Sequence, residues 1–120
     1  MADKWIQLMS EDGTDNLFPT SKMDLLWINA SPNSSFASQN IPLVLSTYSL
    51  VYIIYQPEPS TRPGKFFSTF VIVGETASLI TDWTSSSELF KRDYIVSATG
   101  IDVTGTNGLE CIPYKIYGIK

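Results

Sequence analysis

The sequence predicts an all-β fold: an antiparallel β-sandwich of jelly-roll-like type, with about eight strands in a single domain spanning residues 1–120. Three observations carry this. Runs rich in Val, Ile, Tyr, Phe and Thr alternate with clusters of Ser, Asn, Pro and Gly, the signature of short strands separated by turns. No segment carries an apolar stripe at helical spacing. The chain has 120 residues, 43% of them hydrophobic and 17% charged, which suits one globular core with no disulfide support. A barrel-like closure is the alternative arrangement of the same strands.

Taken in order, residues 1–22 form a lead-in that contains an Asx-type turn at Glu11-Asp12-Gly13-Thr14-Asp15-Asn16 and a first strand from Leu17 to Lys22. A second strand runs from Met23 to Asn29 and ends in the polar loop of Ser31 to Ser38. A third follows from Ile41 to Leu45. Leu50 to Gln56 and Phe66 to Val73 are apolar on both faces, the pattern of interior strands whose outer face is covered by a sheet, a loop or a partner chain. Between them, Gln56 to Lys65 holds three prolines and reads as a stiff, exposed loop.

Ala77 to Thr81 is the next strand. Ser85-Ser86-Ser87-Glu88 has the spacing of a capping box, but the residues after it turn β-like at once. Leu89 to Val103 reads as one long strand bent or bulged at Gly100, joined by a Thr104 to Gly108 hairpin loop to a last strand from Leu109 to Tyr117. In that last strand Ile112, Tyr114 and Ile116 share the expected core face. Pro42 and Pro113 cannot donate to a ladder and belong at an edge, a strand start or a bulge.

Composition narrows the chemistry. There is one cysteine and no histidine, which removes intramolecular disulfides, most thiolate metal sites and the commonest general base. The net charge of -4 argues against a phosphate-binding surface and so against a nucleic-acid partner. The first residues lack the cationic and apolar regions of a secretory signal, and no apolar run reaches the length of a membrane helix. The expectation is a non-enzymatic protein made in a cytoplasm, with no cofactor and no membrane insertion.

Residues with chemical capacity each have a simpler reading. Glu11 to Asn16 lacks the alternating acids and distal Glu of a calcium loop. Asp82 with Glu75 and Glu88 could supply paired carboxylates, but acids near strand ends are commonly solvated. The serines have no histidine and no Gly-x-Ser-x-Gly elbow. Cys111 reads as a small core hydrophobe. Trp27 reads as core, and Trp83, in the polar stretch Thr81-Asp82-Trp83-Thr84-Ser85, as an exposed rim or contact residue able to stack on a sugar ring. Trp83 and Asp82, with Arg62 and Lys65 of the proline-rich loop, are the candidate binding residues.

Two segments resemble a known family. Asp24-Leu25-Leu26-Trp27-Ile28-Asn29-Ala30-Ser31-Pro32-Asn33-Ser34-Ser35-Phe36-Ala37-Ser38-Gln39 is similar to the "LLWTNPxPxSxFAxQ" segment of distal domains in bacteriophage tail and fibre proteins, and Ile112-Pro113-Tyr114-Lys115-Ile116-Tyr117-Gly118-Ile119-Lys120 resembles their "IPxKIYGIK" ending. The lead-in, with Trp5-Ile6-Gln7-Leu8, Asp12-Gly13 and Phe18-Pro19, is similar too. Ile28-Asn29-Ala30 departs from the family's Thr-Asn-Pro within a loop. The resemblance implies a virion structural protein that forms or caps an appendage, contacts a host surface glycan, and assembles as a homotrimer with other virion proteins as neighbours.

Overall fold

The computed structural model describes residues 22–59, 62–80, 91–105 and 108–120. Among the described residues there are eight strands: β1 (Asp24–Ile28), β2 (Gln39–Pro42), β3 (Leu50–Gln56), β4 (Phe67–Ile72), β5 (Thr76–Ile80), β6 (Lys91–Ser97), β7 (Gly100–Val103) and β8 (Ile112–Ile119). They pair antiparallel in two four-stranded sheets, in the orders β1-β8-β3-β4 and β2-β7-β6-β5. The described residues contain no helix. The molecule is a β-sandwich, as the strand pattern predicts.

The core lies between the sheets because period-2 alternation turns one face of each strand inward. The first sheet contributes Val51, Ile53 and Tyr55 of β3, Val71 of β4 and Ile116 of β8; the second contributes Ile41, Leu79, Tyr94, Val96, Ile101 and Val103. Burying each such side chain contributes about 1.5–3 kcal/mol. Trp27 packs half-buried against this core, edge-to-face with Phe36 at 5.9 Å, and Cys111 lies within it. Cys111 adopts φ 46°, held there by its N–H bond to Pro57 O and by the Tyr94 hydroxyl donating to its carbonyl.

Several expectations are corrected. Leu89 to Val103 is not one bent strand. Ser97 pairs with Gly100, so Ala98-Thr99 is a two-residue reversal and β6 and β7 form a hairpin. Gly100 has φ 155°, and a Cβ there would sit 2.5 Å from Ile41 O, so the turn requires glycine. Nor does Thr104 to Gly108 close a hairpin: β7 belongs to the second sheet and β8 to the first, so the connection crosses between sheets. The third expected strand is shifted to Gln39–Pro42, because Leu43 and Leu45 bond to the Thr99 and Ala98 carbonyls of that turn.

The face of Tyr114 is also corrected. The pairing of β3 with β8 slips between Ile54↔Lys115 and Tyr55↔Pro113, leaving Tyr114 as an extra residue. A bulge of this kind reverses the alternation beyond it. Tyr114 therefore packs outside, against Phe66, while Ile112 and Ile116 are buried. Pro113 stands at the bulge, and Pro42 ends the edge strand β2. The proline-rich loop is not exposed from its start: Pro57, Glu58 and Pro59 are buried, while Pro63, Gly64 and Lys65 are exposed. Among the described residues β4 has β3 alone as its neighbour and ends the first sheet. The expected strand over Leu17 to Lys22 lies outside the described residues except for Lys22, as do the Glu11 to Asn16 and Ser85 to Glu88 segments.

Candidate assembly face

A two-layer sandwich ordinarily sends polar side chains outward from both sheets. The second sheet does so. On its outer face Asn40 Nδ2 donates to Asp102 Oδ1 at 2.6 Å, Ser78 Oγ donates to Asp93 Oδ1 at 2.8 Å, and Lys91 Nζ is 3.7 Å from Asp93. Among the described side chains, Ile95 is a large apolar residue exposed there.

The first sheet does the opposite. Alternation sends Tyr52 and Ile54 of β3 outward with Tyr117 of β8, and all three are buried in a second apolar cluster with Met23, Phe66, Tyr114 and Ile119. Its rings interlock: Tyr52 lies 4.7 Å from Phe70 and 6.3 Å from Tyr117, and Phe66 lies 4.8 Å from Tyr114, all tilted pairs. Lys115 sets its ammonium 4.9 Å from the Tyr114 ring. Such aromatic pairs contribute about 0.5–1.5 kcal/mol beyond their area.

The rims of this face remain open. Leu25 (48%) and Ile28 (50%) on β1, and Phe70 (40%) and Ile72 (57%) on β4, are exposed. The face thus has a centre already buried within the chain and exposed Leu, Ile and Phe side chains around it.

A third region gathers buried polar groups at the end of the sandwich where three loops meet. Gln56 donates from Nε2 to Pro32 O (2.9 Å) and Asn33 Oδ1 (2.7 Å), and its Oε1 accepts from Gly64 N–H at 2.6 Å. Arg92, only 1% exposed, donates to Thr104 O, Glu110 O and Phe36 O at 2.9, 3.2 and 2.6 Å. Burial draws the Arg92 pKa down, with Tyr94 and Cys111 opposing; arginine remains cationic. Burial raises the Glu110 carboxyl, helped by the neighbouring charge of Glu58, and Glu110 Oε2 is enclosed without a hydrogen-bond partner. The Tyr94 hydroxyl is pushed well above its usual range, first by burial.

Of the four candidate binding residues, Trp83 and Asp82 lie outside the described residues. Arg62 and Lys65 are on the loop between β3 and β4. Arg62 is half-buried, its Nε 3.6 Å from Glu58 Oε2 and its N–H bonded to Glu58 O, while Lys65 is exposed. Arg62 is thus a brace of the loop. Among the described residues, one surface groove of about 410 Å³ is lined by Pro42, Leu43, Val44, Ser46, Ala98 and Thr99, and another of about 460 Å³ lies between β4 and β5. Among the described residues no three His, Cys, Asp or Glu side chains are grouped to hold a metal.

No protein-family model matches the chain, and neither a characterised protein nor a solved structure is significantly similar to it. The doubly apolar runs in β3 and β4 signalled the outer face from the sequence. Its rim on β1 carried no such signal, because Leu25-Leu26-Trp27-Ile28 has no alternation; the slip between Leu25 and Trp27 in the pairing with β8 decides which side each takes. Arg92 was equally silent, since a Lys-Arg-Asp run reads as a solvated face.

Proposed function

We propose that this chain is a non-enzymatic structural component of a bacteriophage virion, a homo-oligomeric β-sandwich that forms or caps a tail or fibre appendage and contacts the host surface. The observation that carries the assembly part is the apolar outer face of the first sheet, with Leu25, Ile28, Phe70 and Ile72 exposed on its rims. Tyr52, Ile54 and Tyr117 at the centre of this face are already buried within the chain, so what a neighbouring subunit would cover is the exposed apolar rim. The phage assignment rests on the resemblance of the Leu25 to Gln39 and Ile112 to Lys120 segments to appendage domains, which also supplies the threefold symmetry.

Two variants test the reading. Leu25→Glu with Ile28→Glu places two charges on the β1 rim without touching the core, and should lower the mass in solution while leaving the far-UV dichroism unchanged. Trp83→Ala should keep fold and mass and weaken adsorption to host cells or their wall polysaccharide. A monomeric wild type that binds a polysaccharide would instead identify a carbohydrate-binding module. A wild type that assembles but adsorbs to no host leaves a purely structural virion role.

A further inference from the structure

We draw no further inference here: the strongest candidate, the apolar groove at the end of the second sheet where Leu43 and Val44 flank the Ala98-Thr99 turn between β6 and β7, carries nothing because nothing in the structure shows what covers it.

Discussion

Replacing Arg92 with methionine should be among the most damaging single substitutions in this molecule, although methionine matches its length and suits a core. Arg92 lies on the inward face of β6 opposite Leu79, and its guanidinium donates to three carbonyls from three separate segments: Phe36, Thr104 and Glu110. Two effects compete. Burying a charge is costly, and replacing buried ion pairs by apolar residues is often neutral or stabilising. That result holds when both polar partners leave together. Here the partners are backbone carbonyls, which stay behind.

Leaving a buried acceptor unmet costs about 1–3 kcal/mol, so three of them, partly reached by water, should cost about 3–6 kcal/mol in sum. This is a large share of the roughly 5–15 kcal/mol that holds a domain folded. In urea titrations followed by far-UV dichroism, the midpoint should fall steeply while the slope stays constant. Arg92→Lys keeps the charge but not the planar fork, and should fall between wild type and Arg92→Met. A loss below about 1 kcal/mol for Arg92→Met would mean that the carbonyls find other donors and that Arg92 does not tie the loops.

Other outcomes follow from the same coordinates. Glu110 has its carboxyl pKa raised by burial and by Glu58, so its contribution to stability is present in acid and is lost as pH rises through the raised value. Glu110→Gln should stabilise the fold at neutral pH and flatten the stability profile above the ordinary carboxylate range, read by thermal melts from acid to neutral pH. Gly100→Ala drives a Cβ to 2.5 Å from Ile41 O at φ 155° and should cost about 1–3 kcal/mol, measured by denaturant titration. Deleting residues 112–120 removes β8 from between β1 and β3; losing Ile112 and Ile116 at about 2–5 kcal/mol each should abolish cooperative unfolding in calorimetry.

The strands were legible where alternation or a continuous apolar run marks them, as in Leu50-Val51-Tyr52-Ile53-Ile54-Tyr55. What escaped the sequence is what pairing decides. The Ser97 to Gly100 reversal hides inside a β-prone run because Ala98-Thr99 looks like strand, and only the close approach of Gly100 to Ile41 explains the glycine. Tyr114 sits at a bulge that no local pattern announces, so its face was misread. Which sheet receives β7 and which β8 depends on a crossing of 104–111 that resembles an ordinary hairpin loop in composition. The candidate face was half legible: both faces of β3 are apolar in the sequence, but the place of β4 at the end of the first sheet among the described strands appears only once the strand order is known.

The central claim is that the apolar outer face of the first sheet is an assembly surface. The mass of the wild-type full chain at micromolar concentration, from light scattering coupled to size exclusion, tests it most directly. Three copies are expected from the threefold contact; a monomer that stays soluble and binds no second copy would contradict the account.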